Sequence, residues 1–547
     1  MENYPPLLRT LLVNRGINDA EAADRFLNPD YARDLHDPFL ILNMERAVER
    51  ILRAITSGER ITVWGDYDCD GIPGTVVLHD FFEKIGYKNI SVYIPHRYSE
   101  GYGLNVKGIK QLAREGTTLV VTVDSGITDV EPVATANKLG VDVIITDHHL
   151  PQEKLPPAYA ILNSKQSGDT YPFPLLSGAG VAFKLVQALI MRGDFGIPAG
   201  WEKWLLDVAG ISTIADMVPL FGENRALAHF GLKVLRRTSR PGLLSLFRKA
   251  RVDQRTLSED DIGFSIGPRI NAASRMGEPI EGFHLLSTKD PARAVELAAY
   301  LESKNNERKR TVLKMIEEID DVVRSAADAP VIVVGKPNWK PGVVGLAAAR
   351  IVERYGKTAF VWGGDGSTDC KGSCRSDGTL NIVELMGNAV KGTFLDFGGH
   401  EFAGGFSTSR AAAGKLAARL LAAHRKTQVR AEVQRSHAVD GDLLLSDVTW
   451  DLHHIIQMLA PYGVGNPKPL FRFPAIRVRD LRRFGKSGEH LELSLAQDQA
   501  NITATQFFAP AHKDLSVAQT ISLVAHVEKN SFMRRPVLQL RLVDILR

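Results

Sequence analysis

The chain has 547 residues, 44% of them hydrophobic and 24% charged, values that exclude a disordered, collagen-like or coiled-coil polypeptide. One hydrophobic core stops growing at roughly 250–300 residues, so two to four domains are expected. Lysine and arginine total 67 against 63 acidic residues, a net charge of +4, so a polyanion would have to be held by local patches and metals, not by bulk charge.

Residues 1–57 read as a helical segment, with Asn18-Asp19 ahead of AEAADRFL as an N-cap signal. From Arg60 short β-rich runs (ITVWG at 61–65, ISVYIP at 90–95, TLVVTV at 118–123, VDVIIT at 141–146) alternate with amphipathic stretches such as TVVLHDFFEKIG and VKGIKQLAREG. That alternation predicts a parallel sheet covered by helices on both faces. Asp290-Pro291 opens a long helix, apolar at its two ends and polar all round through ESKNNERKRT; such a helix bridges two domains through solvent, over ~50 Å at ~1.5 Å per residue. VIVVG, GVVGLAAARIVERYG and TAFVW then begin a second, smaller α/β unit, closed by an Ala/Leu/Arg-rich helix at 410–426. From about residue 470 HLELSL, ITATQFF, TISLVAHV and VLQLRLVDI are β in pattern and predict a small barrel of the OB type. No stretch reaches the ~18 apolar residues of a membrane helix. MENYPPLLRT shows no signal peptide, and three cysteines (Cys69, Cys370, Cys374) cannot staple a chain of this length. A cytoplasmic protein with reduced thiols is expected.

The early strands end in acid. ITVWG runs into Asp66-Tyr67-Asp68-Cys69-Asp70-Gly71, TLVVTV into Asp124-Ser125-Gly126, and VDVIIT into Asp147-His148-His149. Open parallel sheets bind ligands beyond the carboxyl ends of their strands, so these ends converge on one small volume. Asp216, in IADMVPL, is a fourth candidate. Carboxylates packed closely repel unless protons or cations intervene. Asp66, Asp68, Asp70, Asp124, His148 and Asp216 could hold two metals, and the oxygen-rich set favours magnesium or manganese over zinc. Such a pair activates a water for in-line displacement at phosphorus. Any one of these aspartates could instead be a helix N-cap, a reading that weakens for the set together. His149 could contact a substrate phosphate instead of metal.

DYDCDG, VDSG, DHH and ADMVPL, in this order and spacing, resemble the motifs of the DHH phosphoesterase superfamily. IPHRYSEGYGL, GPRINAASRMG, KGSCRS, GGHEFAGGF and LAPYGVGNPKPLF narrow the resemblance to the RecJ family of single-stranded-DNA-specific exonucleases. The resemblance implies a DHH catalytic domain at 58–288 after the helical segment 1–57, a connecting helix at 289–329, a DHH-associated substrate-binding domain at 330–432 and an OB-fold domain at 433–547. It implies 5′→3′ hydrolysis of single-stranded DNA to mononucleotides in recombination and repair, with two Mn2+ or Mg2+ ions. Asp66, Asp68, Asp70, Asp124, His148, His149 and Asp216 would be catalytic. Arg97, Arg269, Arg275, Ser373, Arg375, Gly398, Gly399 and His400 would bind substrate, with Ser373, Arg375 and Arg97 resembling a pocket for the 5′-terminal phosphate. Single-strand-binding protein and a helicase are the partners it suggests.

In the barrel, Arg472, Arg477, Arg479, Arg482, Arg483 and Lys486 surround Phe471, Phe473 and Phe484. Cations that follow phosphates and rings that stack on bases suit a single strand, and the same rings could simply fill a barrel core. Two other functions compete: a DHH phosphodiesterase of short oligonucleotides, cyclic dinucleotides or polyphosphate, and a catalytically dead DNA-binding scaffold. The basic barrel argues against the first. The complete acidic set argues against the second.

Overall fold

The computed structural model describes residues 1–325, 329–364, 366, 369–430, 438–485, 488–509, 515–530 and 536–546. The boundary expected at 432–433 and Lys486 lie outside these residues. β1 (Arg60–Gly65), β2 (Ile90–Tyr93), β3 (Thr117–Val123), β4 (Asp142–Thr146) and a short β5 (Ala160–Leu162) form one sheet in the order β2-β1-β3-β4-β5. Every pairing in it is parallel. Alternate side chains enter two cores: Ile61, Val63, Val121 and Val123 join one, and Trp64, Val120, Val143 and Ile145 the other. Burial on both faces explains why these strands read as nearly continuous apolar runs.

The helix Pro291–Ser325 has 35 residues, about 52 Å at 1.5 Å per residue. Leu297 and Leu301 belong to the first core; Met315, Ile319 and Val323 belong to the core of the second unit. Its centre is only partly open to the solvent that the sequence suggests. Asn305 is fully buried there, Glu302 pairs with Arg269 (2.5 Å) and Glu307 with Lys340 (3.0 Å). Ser303, Asn306, Lys309 and Arg310 stay exposed, so one side of this stretch meets charged groups of both units and the other meets solvent.

β6 (Val331–Lys336), β7 (Thr358–Gly363), β8 (Asp369–Arg375), β9 (Asp396–His400) and β10 (Ala403–Ser409) form a mixed sheet in the order β6-β7-β8-β10-β9. β11 (Gly441–Asp442) attaches to a barrel of β12 (Phe471–Phe484), β13 (His490–Gln497), β14 (Ala500–Gln506), β15 (Thr520–Asn530) and β16 (Val537–Leu546). β12 pairs with both β13 and β15, which closes it. The N-terminal segment divides its packing. Leu8, Leu11, Leu12 and Ala23 share a core with Leu452, Phe471 and Phe473 of the C-terminal unit, whereas the helix Met44–Ser57 packs in the catalytic core. Asp19 caps the helix Ala20–Leu27, accepting from the Ala22 amide (2.8 Å). Among the described residues no helix is long and apolar enough to cross a membrane.

Candidate active site and metal centre

β1, β3 and β4 end in register. The Asp66 amide donates to the Val123 carbonyl (3.1 Å), the Asp124 amide to Thr146 (2.9 Å) and the Asp147 amide to Leu162 (3.1 Å). Each acidic residue thus stands one step past the apolar layer. Strand order reverses at β1, with β2 on one side and β3 on the other, which is where open α/β sheets form a binding crevice. Two glycines permit the crowding: a Cβ at Gly71 would lie 2.5 Å from the Asp66 carbonyl oxygen, and one at Gly178 would lie 2.5 Å from the Asp124 Cβ. Asp124 itself has φ +60°, backbone strain of the kind that clusters at functional sites.

Two of the aspartates also accept from amides at the starts of helices. Asp68 Oδ1 accepts from the amides of Asp70 (2.8 Å) and Gly71 (3.1 Å) at the start of the helix Gly71–Lys84. Asp70 accepts from the amides of Gly178 and Ala179 (2.7 Å each) and from Ser212 Oγ (2.6 Å). Donor atoms of Asp66, Asp68 and Asp124 lie within 4.8 Å of one another, as do those of Asp70, His148 and Asp216. One imidazole nitrogen joins the groups: His148 Nε2 is 3.2 Å from Asp124 Oδ1, 3.5 Å from Asp70 Oδ2 and 3.6 Å from Asp216 Oδ2.

Burial, followed by the charge of Asp68, pushes the Asp66 carboxyl well above its usual range. Burial and the charge of Asp70 do the same to Asp124. Asp216 is pushed up to about 9 by burial and then by Asp70 and Asp68. Burial lowers His148, which favours the neutral imidazole that a metal would need. Asp66 Oδ1, Asp124 Oδ1 and His148 Nδ1 are buried without hydrogen-bond partners. Unpaired buried carboxylate oxygens around one imidazole are costly until a cation arrives, and oxygen-rich donors fit a hard divalent ion. The residues therefore fit two such ions.

His149 borders this centre: a ligand atom of it lies within 4.8 Å of those of Asp124 and His148, with Nδ1 3.7 Å from Asp124 Oδ1. Its Nδ1 meets Asp147 Oδ1 at 2.8 Å. Burial pulls its pKa down, but the Asp147 hydrogen bond and charge raise it further. Asp147 Oδ1 also accepts from the amides of His148 (2.7 Å) and His149 (3.1 Å), and Oδ2 from the Ile127 amide (3.0 Å). It orients the histidine pair. Three further contributors escaped the sequence reading. Asn163 Nδ2 donates to the His149 carbonyl (2.8 Å) and Lys165 Nζ to that of His148, both from just past β5. Tyr102 Oη donates to the Asp124 carbonyl (3.0 Å). The run AYAILNSK held the signal for the first two, as a further apolar strand ending in polar groups.

The expected phosphate-binding residues lie on both sides of the cleft. Arg97 covers the Tyr67 ring at 4.0 Å, and its Nε is buried without a partner. Arg275 donates to the Gly342 carbonyl (2.7 Å) at the start of the helix Pro341–Tyr355; burial and then the charges of Arg97 and Arg308 lower it to about 10. Ser373 and Arg375 face Gly345 on the same helix. The helix thus joins both sets. In the sheet, Gly398 lies opposite Gly405, which lies opposite Ser373; His400 is opposite Ala403, which is opposite Arg375. His400 and Arg375 are therefore on one face, two strands apart. GGHEFAGGF is a hairpin at the sheet edge, with Gly399 at φ +142°. Arg269 is engaged by Glu302 and by the Ser265 carbonyl (2.8 Å).

On β12 the arginines Arg472, Arg477, Arg479, Arg482 and Arg483 are exposed, while Phe471 and Phe473 are fully buried and fill the barrel. Phe484 is half-buried and packs against His490 and Phe507. The guanidinium of Arg541 lies 3.9 Å over the Phe507 ring.

Comparison with known proteins places this geometry. Residues 60–211 match the model of the DHH family N-terminal domain, 328–426 the DHHA1 domain and 439–544 the RecJ OB domain. The chain is 36% identical over 542 residues to the single-stranded-DNA-specific exonuclease RecJ of Bacillus subtilis, covering 98% of this chain and 68% of that protein. It is 33% identical to that of Escherichia coli, over 85% of this chain and 83% of the relative. The crystal structure of RecJ in complex with Mn2+ from Thermus thermophilus superposes with a TM-score of 0.82 at 29% identity, covering 99% of this chain and 76% of that one. An exonuclease RecJ bound to manganese matches at 34% identity and a TM-score of 0.62, over 70% of this chain and 95% of that one. Relatedness over nearly the whole length, through all three domains, makes this chain a member of the RecJ family.

Proposed function

We propose that the chain is a single-stranded-DNA-specific exonuclease that removes mononucleotides from the 5′ end, using two manganese or magnesium ions. The observation that carries this is the pair of donor groups, Asp66/Asp68/Asp124 and Asp70/His148/Asp216, joined by the 3.2 Å approach of Asp124 to His148. The curated relatives are named single-stranded-DNA-specific exonucleases, which supports the single-strand and exonuclease part of the reading. The ions, when bound, polarise a water and the phosphodiester for in-line displacement. Asp124, which lies between the two donor groups, would help to hold both. Asp147 holds His149 by its Nδ1 and favours the protonated ring, which suits the histidine to meet a phosphate oxygen of the substrate. Arg97, Arg275, Ser373, Arg375 and His400, with the backbone at Gly398 and Gly399, take the 5′-terminal phosphate. Arginine suits that task through its planar fork. The exposed arginines of β12 track the strand that follows.

The same reading holds single-strand-binding protein and a helicase as partners that prepare the strand, in a cytoplasmic setting, in recombination and repair. The test is digestion of a long single strand labelled at either end, with manganese, magnesium or EDTA. Release of the 5′ label as mononucleotide, abolished by EDTA, is the expected result. Release of the 3′ label first, or equal turnover of a cyclic dinucleotide, would refute it.

A further inference from the structure

We infer that the turn 459–467 of the C-terminal unit is a positioning element for Asp216, so that this unit sets metal affinity and the chemical step as well as strand binding. The inference rests on the reading of Asp216 as a metal ligand. Asp216 ends the helix Leu206–Ala215, and on that side it is secured: Ser212, one turn earlier, bonds Asp70 (2.6 Å). On the other side the chain enters Met217 at φ +60° and then runs into the C-terminal unit. The Leu220 amide donates to the Val464 carbonyl (2.7 Å). Gly463 and Gly465 let the turn sit directly on this segment: a Cβ at Gly463 would lie 2.8 Å from Leu220 Cδ1, and one at Gly465 2.9 Å from Phe221 Cδ1 and 3.3 Å from Pro219 Cβ.

The turn is itself held rigidly. Asn466 is fully buried; its Nδ2 donates to the carbonyls of Leu459 and Pro461 (2.8 Å each) and its Oδ1 accepts from Arg15 Nε (2.9 Å). Arg15 also donates to the Pro467 carbonyl (2.6 Å). From the catalytic side, buried Arg225 donates to the carbonyls of Ala460 (3.0 Å) and Pro461 (3.4 Å) and to that of Phe26 (2.6 Å), and covers the Phe26 ring at 3.6 Å. The N-terminal segment, through Arg15, and the catalytic side, through Arg225, therefore both hold the turn that rests on Pro219, Leu220 and Phe221. Groups that orient metal ligands govern affinity and rate without touching the ion.

The experiment uses the whole chain and the variants Gly463→Ala, Gly463→Ala/Leu220→Ala, Arg225→Lys and Asp216→Asn. Two quantities are measured: Mn2+ affinity by calorimetry, and kcat on a 5′-phosphorylated dinucleotide, whose single bond leaves one nucleotide on either side of the carboxylates. Gly463→Ala should weaken Mn2+ binding and lower kcat by about ten- to a hundredfold, the range for groups that orient metal ligands. Adding Leu220→Ala removes the colliding methyl and should restore most of both, while binding of a long strand in EDTA stays at the wild-type level. Arg225→Lys should show the same losses with the charge kept, and decides the matter if Gly463→Ala does not fold. Wild-type Mn2+ affinity and dinucleotide turnover in both, or a loss confined to long strands, would overturn the inference. Unchanged Mn2+ binding in Asp216→Asn would instead overturn the ligand reading beneath it.

Discussion

Without metal, the protein should lose stability as the pH rises from 6 to 9. Asp216, pushed up to about 9, keeps its proton in the folded chain, whereas an unfolded carboxyl at its ordinary 3.8 has released it. Between those values folding takes up a proton, so stability declines with increasing pH and the decline ends above the folded pKa. One group costs about 1.4 kcal/mol per pH unit, hence on the order of 4 kcal/mol over three units. In a catalytic domain of this size that is roughly 10 °C in Tm. Asp66 and Asp124 are shifted in the same direction by burial and neighbouring carboxylates, which deepens the decline. The assay is thermal unfolding of the EDTA-treated chain across this range, followed by tryptophan fluorescence, since Trp64 is fully buried in the sheet beside the site. Saturating Mn2+ should displace the protons and flatten the profile. Asp216→Asn, uncharged in both states, should flatten it in part without metal. A metal-free Tm that stays level or rises between pH 6 and 9 would refute the picture of carboxylates too crowded to ionise alone.

Asp124→Ala should abolish hydrolysis while single-strand binding largely survives; near-normal turnover in a folded variant would remove Asp124 from the centre. Arg375→Ala should erase a preference for 5′-phosphorylated over 5′-hydroxyl strands, a loss of about 1.5–3 kcal/mol, or roughly ten- to a hundredfold in binding, for one charged hydrogen bond. An unchanged preference would place end recognition elsewhere. Lys184 and Glu223 form a fully buried ion pair at 2.5 Å, and Tyr171 Oη donates to the same carboxylate (2.6 Å). Lys184→Met should cost about 3–5 kcal/mol by stranding that charge, read by urea unfolding; a cost under about 1 kcal/mol, the scale of an exposed pair, would show the site to be hydrated.

Strands buried on both faces are legible because each residue is apolar: β1, β3 and β4 stand where ITVWG, TLVVTV and VDVIIT predict them, and their acidic ends follow by chain order alone. β5 is only three residues long, too short for a periodic signal, so Asn163 and Lys165 were missed with it. The double duty of Asp70 depends on Gly178 and Ala179, 108 and 109 residues later, and no local pattern records such a contact. The same holds for Leu8, Leu11 and Leu12, amphipathic in sequence but with a partner core more than 400 residues away. For Phe471 and Phe473 the alternation with Arg472 put the rings on one face of β12, but only closure of the barrel turned that face inward.

The central claim is a two-ion centre shared by Asp124 and His148 that cuts single-stranded DNA. The most direct test is a titration of the metal-free chain with Mn2+ in which bound ions and hydrolysis of a 5′-labelled strand are followed in the same samples. Two ions per chain are expected, with hydrolysis appearing only as the second binds and absent from Asp124→Ala at any Mn2+ concentration. Full hydrolysis with a single ion bound, or with the Asp124 carboxylate removed, would contradict it.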